Sequence, residues 1–175
     1  MRKFLRFLFL ILITFGVVMF HFFIVYTLPF PFDKINILFI YLVFYLLITE
    51  LGSVVWLTFL THIFIEVFPS NIFGVTLLSS SLAFVFSYWL YMYYITNRKW
   101  YGATTLIIST LLFYRIFYSV CLLIFYRISP QQSSIQWKEL WQLSMYEIGL
   151  TSVVFTVIYL ILSKFSKRFS RAIAR

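Results

Sequence analysis

Charge is almost absent from five long runs of this chain, residues 7–28, 35–68, 75–96, 103–126 and 140–163. Four of them are close to the ~20 apolar residues that carry a helix across a hydrocarbon core of ~30 Å. In lipid the backbone has no water to bond, so a spanning segment must satisfy its own N–H and C=O groups, and a helix does this within itself. The expected fold is therefore all-α, a polytopic membrane helix bundle of about six membrane segments. With 63% hydrophobic and 11% charged residues over 175 positions, no stretch is left for a water-soluble domain. Residues 1–175 are read as a single integral membrane domain.

The run 35–68 is the anomaly. As one helix its 34 residues would extend roughly 50 Å, well beyond the hydrocarbon core. The sequence "TELGS" interrupts it, placing Glu50, Gly52 and Ser53 where a helix is weakened and a bend is favoured. Either two short helices or a re-entrant hairpin is expected.

Charge distribution bears on the same point, because Lys and Arg in short loops gather on the cytoplasmic side. If 35–68 turns back on itself, Arg2, Lys3, Arg6, Arg98, Lys99, Lys164, Lys167, Arg168, Arg171 and Arg175 share one side. Only Lys34, Arg127 and Lys138 fall on the other, and Arg115 lies within a helix. A single crossing would put eight cations outside and five inside, against the rule. Both termini are thus expected in the cytoplasm, with the loop 127–139 outside. The net charge of +9 is accounted for by these segment ends facing anionic headgroups, not by nucleic acid. The opening residues have the basic start of a signal peptide. However, the apolar stretch from Phe7 to Leu28 is too long and no Ala-x-Ala-like site follows, so a retained first helix is expected.

Polar residues inside the apolar runs are the candidate sites. Thr58, Thr61, His62 and Glu66 recur at three- and four-residue spacing and form one stripe on the helix before Pro69. A charge unpaired in hydrocarbon is costly, so the stripe is expected to face the bundle or a partner, with interfacial hydration of Glu66 as the alternative. Arg115 and Glu147 fall at similar depths on consecutive helices and are a candidate intramembrane ion pair. Thr76, Ser80, Ala83 and Ser87 make a small-residue strip that lets another helix approach closely. Trp100, Tyr101, Trp137 and Trp141 read as interfacial anchors.

Catalysis has little support. There is no Gly-rich phosphate loop, no Gly-x-Ser-x-Gly elbow and no His-Glu-x-x-His pair. His62 and Glu66 have the spacing of a metal pair but no accompanying ligand cluster, and the single Cys121 allows neither a disulfide framework nor a thiol cluster. A non-enzyme without catalytic, cofactor-binding or metal-ligating residues is expected.

The order of features resembles the rod shape-determining protein MreD family. "FDKINILFIYL" is similar to the start of that family's second helix, and "SVVFTVIYLILSKFSKRF" to its last helix and basic tail. Between them an acid, usually aspartate in the family and Glu66 here, precedes a short turn with a glycine, here Gly74, and then an apolar helix. "HIFIEVF" is bulkier than the family's pattern, and the glycines common in its third helix are missing. The resemblance implies a non-catalytic subunit of the bacterial cell-wall elongation machinery in the cytoplasmic membrane. Its implied partners are an MreC-like bitopic protein and, through it, a RodA-type glycosyltransferase and a transpeptidase. The rival is a substrate-binding subunit of an energy-coupling-factor vitamin transporter, also a small six-helix membrane protein. Those subunits dock through a small-residue pair on the first helix, where this chain has only Gly16.

Overall fold

A computed structural model of the chain describes residues 2–67, 73–95, 100–128 and 137–165, with side chains described from Leu8 to Lys164. Six helices follow one another: α1 (Arg2–Thr27), α2 (Ile37–Thr49), α3 (Ser53–Glu66), α4 (Val75–Tyr93), α5 (Trp100–Ile128) and α6 (Trp137–Phe165). A single 3-10 turn, Phe32–Lys34, precedes α2, and no strand occurs among the described residues. The fold is an all-α bundle. Four segments, Leu8–Thr27, Val75–Tyr93, Trp100–Arg127 and Trp137–Lys164, are long and apolar enough to cross a membrane, as in a multi-pass membrane protein.

The run 35–68 is two short helices. At 13 and 14 residues each, α2 and α3 measure roughly 20 Å, too short to span a ~30 Å core as straight helices. The break falls within "TELGS". Glu50 closes α2 in the left-handed conformation (φ 56°), its N–H donating to the Leu46 carbonyl at 2.9 Å, a helix stop usually given to glycine. Gly52 then starts α3. The two helices run antiparallel: Phe39 near the start of α2 meets His62 near the end of α3, with ring centroids 5.9 Å apart. At the other end the Tyr45 and Ser53 hydroxyls lie 3.3 Å apart.

Outside this hairpin α1, α5 and α6 are longer than their apolar runs, whereas α4 stops at Tyr93, short of the end of its run at 96. α5 begins at Trp100 rather than 103 and α6 at Trp137 rather than 140, because the backbone keeps its helical bonds through the amphipathic residues at each end. Side-chain pairings fix the directions. Thr104 pairs with Thr156 at 3.0 Å, and Arg115 with Glu147, so α5 and α6 are antiparallel. Asn36 bonds to Thr151 while Phe44 stacks on Phe155 and Tyr159, so α2 runs parallel to α6. Thr14 meets Tyr41 and Phe15 meets Phe64, while Leu10, one turn earlier on α1, lines a common groove with Tyr45 and Ser53, so α1 is antiparallel to α2 and parallel to α3. Together these pairings bring the start of α1, the 50–52 break and the end of α6 to the same end of the bundle. Arg98, Lys99, Lys167, Arg168, Arg171, Arg175 and most of the loop 127–139 lie outside the described residues.

The core is built around the hairpin. Phe39 is fully buried and its ring packs against His62 of α3, Phe84 of α4 (5.3 Å) and Tyr114 of α5 (4.9 Å). Ser79, Ser80, Ala83 and Ser87 of α4 are fully buried, so the small-residue strip is a packing seam; Thr76 sits at its half-buried margin. These three serines return their hydroxyl protons to carbonyls of their own helix, Ser79 to Val75 at 2.6 Å, Ser80 to Leu77 at 3.1 Å and Ser87 to Ala83 at 2.7 Å, so they direct no proton across the seam. α1 is the least buried of the four long helices.

Candidate functional site

Two polar sites lie within the bundle. The first joins α5, α6 and the start of α2. Arg115 reaches across to Glu147 through Nη2 and Oε2, forming an ion pair whose carboxylate side chain is 6% exposed. The other carboxylate oxygen, Oε1, accepts from the Asn36 side-chain amide at 2.7 Å. Asn36 also caps α2, its Oδ1 accepting from the Phe39 N–H at 3.2 Å, while its own N–H donates to the Thr151 hydroxyl at 2.9 Å. Both carboxylate oxygens are thus engaged. The guanidinium lies 5.4 Å from the Tyr114 ring centroid and 5.8 Å from that of Tyr118, where the ring faces add attraction for the cation. Its Nε is buried with no hydrogen-bond partner among the described residues. Asp33 and Lys34, in the turn just before Asn36, pair with each other at 2.6 Å.

The arrangement clamps three helices by one charge pair. A buried ion pair is retained only when its geometry is good and the remaining lone pairs are satisfied, and Asn36 supplies that satisfaction here. Asn36 and Thr151 were not among the residues singled out from sequence. The available signal was an asparagine directly before an apolar helix, the usual N-cap pattern.

The second site is the stripe on α3. Thr58, Thr61 and His62 are buried, and all three bond carbonyls of their own helix: Thr58 to Val54 (2.8 Å), Thr61 to Leu57 (2.6 Å) and His62 Nδ1 to Thr58 (2.9 Å). Their inward face is therefore quiet, without hydroxyl protons directed at a neighbour. Glu66, half-buried at the end of the stripe, differs. Its Oε2 accepts from the Gly74 N–H at 2.9 Å and its Oε1 from the Leu77 N–H at 2.8 Å, so both oxygens cap the first turn of α4. Those amides belong to the group every helix leaves unsatisfied at its start, where the helix dipole also favours an anion. Gly74 occupies the left-handed region (φ 93°), a conformation glycine adopts without penalty, and this presents its N–H to the acid.

The structure therefore brings Arg115 and Glu147 together and gathers Thr58, Thr61 and His62 on one buried face. Glu66, though on the same stripe, is turned to the start of α4. The Tyr114 ring, 4.9 Å from that of Phe39 and 5.4 Å from the Arg115 guanidinium, joins the ion pair to the aromatic core. Among the described residues no group of three or more His, Cys, Asp or Glu side chains is placed to hold a metal ion. No protein-family model matches this chain, and no similar curated protein or solved structure is found.

Proposed function

We propose that this protein is an MreD-like, non-catalytic membrane subunit of the bacterial cell-wall elongation machinery. It would lie in the cytoplasmic membrane with both termini inside and bind an MreC-like bitopic protein. The observation that carries this reading is the bond between Glu66 and Gly74, the acid and the glycine on which the family resemblance rests. An acid, a turn and a glycine-led helix form one mechanical unit here, since the carboxylate holds the amides of Gly74 and Leu77 and so fixes how α3 passes into α4. That gives the pattern a physical purpose that a chance succession of apolar residues would lack. The absence of catalysis in this reading is supported by how two of the acids are held. Glu66 and Glu147 are each held by donors of the chain itself, which suits a scaffold better than a proton-transferring centre.

The test is isolation of the full-length protein from its own cells in mild detergent, followed by identification of what accompanies it. An MreC-like bitopic protein should co-purify, and depletion of this protein should turn rods into spheres. A vitamin retained in its place, with no bitopic partner and no change of shape, would instead establish the transporter reading. Orientation is tested separately in a Cys121→Ser background. Single cysteines at Ser133 and Ser166 should label from opposite faces of the membrane, and labelling from one face would overturn the proposed topology.

A further inference from the structure

The connection from α1 to α2 lies deep in the bundle. The Phe30 ring meets Tyr146 of α6 at 5.1 Å, and Asn36 bonds to Glu147 and Thr151, so residues 30–36 sit beside positions 146–151 of α6. Those positions are roughly 14–21 Å from the start of α6 at Trp137. With 29 residues measuring about 43 Å, α6 exceeds a ~30 Å hydrocarbon core by about 6–7 Å at each end. The connection is thus about 7 Å or more inside that core. Within it Asp33 and Lys34 pair with each other, their side chains 18% and 32% exposed. Irregular backbone and charge at this depth persist only where protein covers them or water reaches them. Protein leaves this pair partly uncovered, so water must reach it.

The surrounding helices leave room for it. α2 touches α1 through Tyr41 and Thr14, α5 through Phe39 and Tyr114, and α6 through Phe44 and Phe155. It starts at Ile37, and among the described residues no helix continues its column beyond Asn36. The three neighbours do continue, and there they lose their burial: past Val18 no described side chain of α1 is buried, past Tyr114 none of α5, and before Glu147 only Ser144 of α6. Asp33 Oδ1 and Arg115 Nε have no hydrogen-bond partner among the described residues, and polar atoms left so are commonly met by water. Lipid chains would offer neither these atoms nor the loop backbone a partner. We infer that the space beyond the start of α2, bounded by α1, α5 and α6, is a water-filled recess that opens at the membrane surface and reaches the Asp33–Lys34 and Arg115–Glu147 pairs. It goes beyond the function proposed above and depends neither on that function nor on which face of the membrane it opens to.

Cys121 is the probe. It is half-buried and lies seven residues past Tyr114, so it falls on the face of α5 that Tyr114 turns toward α2. Leu123 falls on the opposite face, 47% exposed and nearer the end of α5. The reagent is methanethiosulfonate ethyltrimethylammonium, a permanently charged thiol reagent, supplied to both faces of native membranes. Cys121 of the unaltered protein should react about tenfold faster than Leu123→Cys made in a Cys121→Ser background, because both the thiolate and the charged reagent are disfavoured in hydrocarbon. Phe125→Cys in the same background, one turn closer to the mouth on the Cys121 face, should react faster still. A rate at Cys121 no higher than at Leu123→Cys would mean that lipid fills the space, and would overturn the inference. So would reaction of Cys121 only after purification in detergent, since another chain would then fill the space in the membrane. The decisive rate is read on the unaltered protein, and size-exclusion profiles report whether the variants are folded.

Discussion

Glu147 and Glu66 are the same side chain in the same bundle, and they are stabilised in opposite ways. Glu147 is neutralised by a full charge, Arg115, thirty-two residues away on a neighbouring helix, with Asn36 completing its coordination. Glu66 takes two backbone amides from the beginning of the next helix, eight and eleven residues along the chain. The first is a tertiary contact between elements distant in sequence, which depends on the mutual placement of α2, α5 and α6. The second is local, joining the end of α3 to the first turn of α4. Deep in the bundle, where water is absent, an acid needs a cation; near a helix start, partial charges and orphan donors suffice.

If that contrast is right, breaking the ion pair should have the larger effect. Arg115→Leu or Glu147→Leu leaves one charge buried without its partner and should each cost about 3–5 kcal/mol. The double variant should be less destabilised than either single one, because no lone charge remains. Stability measured as the fraction folded across an SDS titration, or as the temperature of loss of the monodisperse peak in detergent, decides the matter. Additive losses would show that the two side chains are not coupled.

The smaller effect is expected at Glu66. Glu66→Leu leaves the Gly74 and Leu77 amides without their acceptor and should cost about 1–2 kcal/mol, in the range of a lost helix cap. Glu66→Gln keeps one acceptor oxygen but loses the charge, so it should fall between the unaltered protein and Glu66→Leu. Hydrogen exchange would place the change, with faster exchange confined to the first turn of α4. An effect spread over α5 and α6, or one as large as that of Arg115→Leu, would mean that Glu66 belongs to the central clamp and that the contrast drawn here is false.

The contrast also explains which features could be read beforehand. The apolar runs and the "TELGS" break report local physics: a segment's solvent and its ability to continue a helix are decided by a few neighbouring residues. Hence the all-α bundle and the division of 35–68 into α2 and α3 follow from the chain alone. Arg115 and Glu147 could be paired because each is a costly charge in an apolar run and their depths agree. The role of Asn36 in that pair was not readable, since nothing in its neighbourhood says that the start of α2 lies against the middle of α6. Glu66 could be placed on the inward stripe by periodicity, but periodicity reports which residues share a face, not which amides a long side chain will reach.

The sequence by itself determined the solvent, the helices and their breaks, because those depend on transfer free energies and backbone preferences summed over short stretches. Only the tertiary structure decided that α2 and α3 pack at the centre of the core, that Asn36 completes the ion pair, and that Glu66 caps α4. These features depend on distances between side chains far apart along the chain, and in a sequence whose apolar positions are nearly interchangeable, packing alone sets those distances.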